Sequence, residues 1–222
     1  MSLILSIETA TAACSVALHK AGKLVAHSAR LVDRSHSEYL MPLIEDLLKN
    51  SNHGRQSLVA VAISGGPGSY TGLRIGTAVA KGLCYGLAIP LIAVGTLEAM
   101  AYGMAPFVNG GTLLCPAIDA RRNAIYTLIA DQVGQIKRPA HVALLDSQSY
   151  KDELPKQPLL FFGDGVLKCK IWLAGQRNVR FIEHIVPSAI HIGSLAFPKF
   201  QQQLWTDISS YRPYYLTHFQ GK

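Results

Sequence analysis

The chain has 222 residues, 49% of them hydrophobic and 16% charged, with a formal net charge of +7 and a pI near 9.3. That is enough apolar material for one full core or two small ones. The basic residues are dispersed, the densest groups being Arg121-Arg122, Lys137-Arg138 and Lys168 with Lys170; this permits transient RNA contact through counterion release but excludes an aromatic-interleaved single-strand platform.

Leu3–Ile7 reads as a buried strand that ends in the acid and hydroxyl pair Glu8-Thr9. The start is not expected to act as a signal peptide, because it has no basic lead and Glu8 interrupts the apolar run. Ala10–Ala13 makes a turn, Ser15–His19 returns as a hairpin partner, and Lys23–Arg30 gives a third strand after Gly22. Ser35-x-x-Glu38 is a capping box that opens a helix with Tyr39, Leu40, Leu43, Ile44, Leu47 and Leu48 on one face. Pro42 is expected to kink that helix or to mark a later start.

Leu58–Ile63 is the next buried strand, and Leu73, Ile75, Val79, Leu83 and Tyr85 mark a helix starting near Thr71. Between them Gly65, Gly66, Pro67 and Gly68 form a tight corner, with Ser69 or Thr71 as helix cap and free amides above the turn. Three known spacings fail here. No lysine follows to make a Walker loop, Thr71 stands where GxGxxG needs its last glycine, and Pro67 and Thr71 flank Ser69 where GxSxG needs glycines. Gly72, Gly76 and Ala80 recur every four residues as a smooth stripe, which suits either close packing inside the domain or a subunit interface.

The uncharged run from Lys81 to Glu98 is broken by Gly86, Pro90 and Gly95 and reads as helix, turn and strand Leu91–Val94, followed by a short helix from about Thr96. Cysteines at 14, 84, 115 and 169 show no CxxC and read as small buried hydrophobes of a reducing compartment. A soluble cytoplasmic protein without membrane contact is the expectation.

At Leu113 the beginning repeats. LLCPAIDARRNAIYTLIAD echoes LILSIETATAACSVALHK, with Asp119 standing 111 positions after Glu8, half the chain away. Such a duplication implies two similar α/β halves, each opening with a hairpin. Further on, Leu159–Phe162 reads as a strand, Leu167–Ala174 as a helix, Val179–Ile182 as a strand, and Ser188–Leu204 as an amphipathic helix broken near Pro198.

SGGPGSYTGLRIG at 64–76, the opening LILSIETAT, His36 in SHSEYLMPLIEDLL and IDARRNAIY at 118–126 together resemble the TsaB (YeaZ) family, whose GPGS[FY]TGLR signature is specific. The resemblance covers roughly the first 130 residues well and the rest weakly, apart from the closing SSYRPYYL. It implies the actin-like ATPase superfamily fold, α/β with two similar ribonuclease-H-like lobes of mixed sheets flanked by helices. The lobes are expected at 1–108 and, in reduced form, at 109–222.

The resemblance also implies a non-catalytic subunit of the assembly that forms threonylcarbamoyladenosine in tRNA. Its partners would be a TsaD-type catalytic subunit and a TsaE-type ATPase, with a homodimer when alone and tRNA reached only indirectly. Helices at about 35–49 and 71–85 would form the partner surface, through His36, Tyr39, Leu40, Leu43, Gly72, Arg74, Ile75, Gly76, Val79 and Ala80. Glu8, Thr9, Gly66, Gly68, Ser69, Thr71, Asp119 and Arg121 would lie near a nucleotide, with ATP or ADP at the interface of the complex and no cofactor in the isolated chain.

Against independent catalysis, the second hairpin turn carries Asp119-Ala120-Arg121-Arg122-Asn123 and no glycine, where a nucleotide site needs backbone amides. The family's catalytic paralogue has an Asn-His-Met-Glu-Ala-His run with two metal ligands; here the matching run is Gly95-Thr96-Leu97-Glu98-Ala99-Met100. Neither Thr96 nor Met100 replaces an imidazole. The eight histidines, at 19, 27, 36, 53, 141, 184, 191 and 218, form no HExxH or HxxxH, and His36 beside Ser35 and Ser37 is no triad. The alternative, a stand-alone glycoprotease-like hydrolase or ATPase, would need turnover sensitive to Glu8 or Asp119.

Overall fold

The computed structural model describes residues 2–31, 36–146, 149–150 and 157–216. Ser35, and with it the capping box, lies outside the described residues. The chain forms two compact units, one from Met1–Ala99 with Pro187–Tyr214, the other chiefly from Met100–Val186.

The first unit holds strands β1 (Leu3–Glu8), β2 (Ala13–Lys20), β3 (Lys23–Leu31), β4 (Leu58–Ser64) and β5 (Leu91–Val94) in the order β3-β2-β1-β4-β5. β1 runs antiparallel to β2 and parallel to β4, the mixed arrangement that a hairpin followed by helical crossovers produces. Every residue of β1 is buried because helices cover both faces of the sheet. On one face Leu3, Leu5, Ile7, Val16 and Leu18 pack against α1 (His36–Asn50) and α2 (Tyr70–Leu87). On the other, Ile4, Ala60, Ala62 and Ile92 pack against Ile192 and Ala196 of α5 (Ala189–Gln201). This alternation is the period of two expected of a strand.

The helix expected to break at Pro42 is a single α1 from His36 to Asn50. Pro42 lies on its exposed side, one turn after the exposed Glu38, so the carbonyl that Pro42 cannot donate to faces solvent rather than the core. Likewise α5 continues through Pro198 to Gln201. The reading that grouped 109–222 together differs from the observed division, because Pro187–Tyr214 returns to the first unit. The reason is packing: Ile192 and Ala196 fill the apolar face left by β1 and β4, and Thr206 pairs with Leu91 at the β5 edge.

The second unit repeats the plan with β6 (Leu113–Asp119), β7 (Ala124–Ala130), β8 (Ile136–Leu144), β9 (Leu159–Phe162) and β10 (Val179–Ile182), ordered β10-β9-β6-β7-β8. β6 is antiparallel to β7 and parallel to β9, as β1 is to β2 and β4. Helix α4 (Val166–Leu173) buries Val166, Cys169 and Leu173 against Cys115, Phe161 and Ile125. The edge strand β8 had no sequence signal: Lys137, Arg138 and Pro139 break its alternation, and its residues are largely exposed. Helix α3 (Thr96–Met104) spans the boundary between the units. All four cysteines are buried free thiols. Burial pushes Cys14 and Cys84 up to about 11, which leaves little thiolate for chemistry.

Candidate functional site

The corner between β4 and α2 is held from three sides. The Ser69 amide donates to the Ala10 carbonyl at 2.6 Å, the Gly65 amide to Val94 at 2.7 Å, and the Tyr214 amide to the Gly65 carbonyl at 2.7 Å. The Gly66 amide donates to Thr96 Oγ1 at 3.1 Å, and that hydroxyl also shares a 2.6 Å hydrogen bond with Ser64 Oγ. Gly66 has φ +101°, and a Cβ there would meet the Tyr214 carbonyl at 2.5 Å, so only glycine fits. Ser69 is the cap, accepting from the Gly72 amide at 3.2 Å, and α2 starts at Tyr70. The amides of Gly65, Gly66 and Ser69 are therefore used by the protein itself.

Glu8 is fully buried at the end of β1. Its Oε1 accepts from the Ala10 amide at 2.6 Å, while Oε2 has no hydrogen-bond partner. Burial raises its pKa to about 7, with the Ala10 amide and the Ser64 hydroxyl pulling the other way. Thr9 is also fully buried, its Oγ1 turned toward α2. Thr71 and Ser69 are exposed. Thus Glu8 and Thr9 lie buried beside the corner of Gly66 and Gly68, while Ser69 and Thr71 stand exposed at the start of α2.

Asp119 and Arg121 belong to the second unit. Asp119 Oδ1 accepts from the Arg121 amide at 2.6 Å and from Lys168 Nζ at 2.8 Å, and the Asp119 amide donates to Asp164 Oδ1 at 2.9 Å. Both repeats therefore use their acid to accept from the amide two residues on. One acid is buried; the other is exposed and tied in an ion pair of the kind common at strand ends. Burial raises the pKa of Asp164 beside it.

The residues expected at a partner surface mostly face inward. Leu40, Leu43 and Ala80 are in the core with Ile7 and Val16. His36 is buried, its Nε2 2.8 Å from the Thr11 carbonyl. Gly72 and Gly76 press on Thr9: added Cβ atoms would lie 2.1 Å from the Thr9 carbonyl and 2.3 Å from Thr9 Oγ1. The small-residue stripe is thus a seat for the end of β1. Tyr39, Ile75 and Val79 are half-buried, and Arg74 is exposed, its guanidinium 2.8 Å from the Tyr70 hydroxyl. The outward face of α2 is instead Thr71, Arg74, Ala78, Gly82 and Tyr85, with Tyr85 86% exposed and open space above Gly82. The helical period, counted two residues off the buried glycines, held that signal.

Met100 is buried within the second unit, its Cε 3.2 Å from the Cβ position of Gly163. Thr96 and Met100 are thus both structural groups of this chain. Among the described residues no three His, Cys, Asp or Glu side chains converge in a way that could hold a metal ion. No described helix is long and apolar enough to cross a membrane.

Residues 28–162 match the family model described as TsaD, tRNA N6-adenosine threonylcarbamoyltransferase. The chain is 45% identical over 123 residues to the tRNA threonylcarbamoyladenosine biosynthesis protein TsaB of Escherichia coli, an alignment covering 55% of this chain and 52% of that one. It is 33% identical to the Bacillus subtilis protein of the same name over 164 residues, 72% of this chain and 70% of that one. The match to the Escherichia coli relative thus spans about half of that protein's length. Among solved structures, YeaZ from Pseudomonas aeruginosa superposes with a TM-score of 0.82 at 27% identity, over 97% of this chain and 100% of that one. An activator of 2-hydroxyisocaproyl-CoA dehydratase from Clostridium difficile shares the fold at a TM-score of 0.54 and 11% identity, over 91% of this chain and 97% of that one.

Proposed function

The chain belongs to the TsaB (YeaZ) family, and from that premise we propose that it is the non-catalytic subunit of the assembly that forms threonylcarbamoyladenosine beside the anticodon of tRNA. In this reading it binds and supports a TsaD-type catalytic subunit, a TsaE-type ATPase joins the pair, and tRNA is reached through the partner. Alone, the chain pairs with itself.

The observation that carries the reading is the use made of Thr96. At the position where the paralogue's motif has a metal ligand, this side chain bonds Ser64 Oγ and the Gly66 amide and so pins the glycine corner to α3. Its oxygen serves the framework. Glu8, the residue best placed for acid chemistry, is sealed in the interior. What the first unit offers to the outside is a helical surface, the exposed faces of α1 and α2 around Arg74, Ala78, Gly82 and Tyr85. ATP or ADP, if it takes part, would bind where this surface meets the partner.

The test is to mix the purified chain with the TsaD-type subunit of its own organism and measure mass by light scattering on a sizing column. A heterodimer replacing the separate peaks supports the reading. Gly82→Arg, which enters open space, is expected to abolish the heterodimer without unfolding the chain. ATP or peptide hydrolysis by the isolated chain, lost in Glu8→Gln, would overturn it in favour of the stand-alone enzyme.

A further inference from the structure

The two faces of the first sheet are built differently. Against α1 and α2, β1 and β2 turn only apolar side chains, among them Leu5, Ile7, Cys14 and Val16. Against α5 the alternation of the same strands places Ser6 and Glu8 of β1 and Ser15 and His19 of β2, all at most 2% exposed. Ser6 Oγ, Glu8 Oε2 and both ring nitrogens of His19 lack a hydrogen-bond partner. A buried polar group left so disfavours the closed structure, and here the penalty is gathered under one helix. The helix sits close on these groups. An added Cβ on Gly193 would lie 2.1 Å from His19 Nδ1 and 2.6 Å from Ser6 Oγ. The Ala189 amide donates to Ser15 Oγ at 3.0 Å, and Ser15 stands opposite Glu8 in the strand register.

The segment carrying α5 joins the first unit as one continuous piece, Pro187–Tyr214, while all five strands come from Met1–Ala99. Its pairing with the sheet is a single bridge, Thr206 to Leu91. It can therefore leave without breaking a strand ladder. Its far end holds the glycine corner, through the Tyr214 amide and the Gly65 carbonyl.

We propose that Pro187–Tyr214 is a detachable cover gated by charge: it closes on the sheet while Glu8 and His19 are both neutral, and lifts as a unit when either becomes charged, releasing Tyr214 from the glycine corner. Burial raises the Glu8 carboxyl to about 7 and holds the His19 imidazole below its ordinary 6.5, so both are neutral just below pH 7. The groups facing them supply no counter-charge. Glu8 meets the Ser64 hydroxyl, the Ala10 and Thr9 amides and the Cys14 thiol, itself pushed up to about 11. His19 meets His27 of β3 and His191 of α5, both also held down by burial, and the Ile190 carbonyl, whose pull toward the cation burial outweighs. α5 has no acidic residue, and its one lysine, Lys199, donates to the Ala93 carbonyl. A carboxylate or an imidazolium under the closed helix is thus buried unpaired, and opening restores its water. This device does not rest on the function proposed above.

Ser6→Cys puts a thiol beneath the cover, while Cys14 and Cys84 on the apolar face report loss of the whole unit. The probe is 4,4′-dithiodipyridine, which labels thiols from acid to alkaline pH, with rates taken relative to free cysteine and sites read by peptide mass spectrometry. The introduced thiol is expected to label before Cys14 and Cys84, slowest at about pH 6–7 and on the order of tenfold faster on either side. Glu8→Gln is expected to remove the alkaline rise and His19→Gln the acid one. In the parent chain, hydrogen exchange of the α5 amides, corrected for intrinsic rates, should show the same two limbs and that of α1 neither. Labelling of the introduced thiol together with Cys14 and Cys84, a profile unmoved by both substitutions, or parallel exchange of α5 and α1 would each overturn the proposal.

Discussion

Thr9 Oγ1 lies 2.3 Å from the point where a Cβ on Gly76 would stand, and the Thr9 carbonyl lies 2.1 Å from the corresponding point on Gly72. No real Cβ tolerates such distances, so two glycines of α2 are there to let the end of β1 reach the helix axis. Six residues after Gly76, Gly82 has open space above it.

A stability contrast follows. Gly72→Ala, facing backbone, is expected to cost about 2 kcal/mol or more, because neither element yields without shifting. Gly82→Ala should stabilise by about 0.5–1 kcal/mol through helix propensity. Urea unfolding of the two variants measures both, and equal effects would refute the inward assignment of the stripe.

The pH dependence of Glu8 has a definite sign. Its folded pKa, about 7, is above the ordinary value of 4.5, so its protonated form stabilises the fold fully below pH 4.5 and that contribution is lost as the pH rises through 7. The shift corresponds to about 3 kcal/mol. Glu8→Gln is therefore expected to become more stable relative to the parent chain between pH 5 and pH 8.5. A difference independent of pH would mean that Glu8 is solvated in the fold.

His19 acts in the other direction. It is buried under Gly193 of α5, where an added Cβ would lie 2.1 Å from its Nδ1, and burial holds its pKa below 6.5 with His27 and His191 adding to the effect. Its contribution is complete above pH 6.5 and is lost as the pH falls through the lowered value. His19→Phe should flatten the acid side of the stability profile, while Gly193→Ala should destabilise at every pH. Parallel profiles for His19→Phe and the parent chain would remove the argument.

Thr96→Val deletes the hydroxyl shared by Ser64 and the Gly66 amide while keeping the shape. Leaving those buried groups unpaired is expected to cost about 1–3 kcal/mol and to speed hydrogen exchange at Gly66. Unchanged stability would free Thr96 for another role.

Much of this was legible in the linear chain. The apolar runs of β1, β4, β6 and β9, the glycine corner and the echo of Glu8 in Asp119 are local or periodic signals, and strand and turn chemistry reads them directly. The edge strand β8 was not legible, because an exposed strand needs no alternating pattern. Nor was the inward direction of Leu40, Leu43, Gly72 and Gly76.

Residue identity by itself determined the buried elements, the repeat and the family, because these rest on short-range spacing and on motifs. Only the tertiary structure decided which face of each element is spent. A stripe of small residues is equally smooth toward a strand or toward a partner, and Thr9 pressing on Gly76 settles which it meets. In the same way α5, more than ninety residues after β5 in the chain, closes the first sheet because an apolar face is filled by whatever the fold brings to it, regardless of distance in sequence.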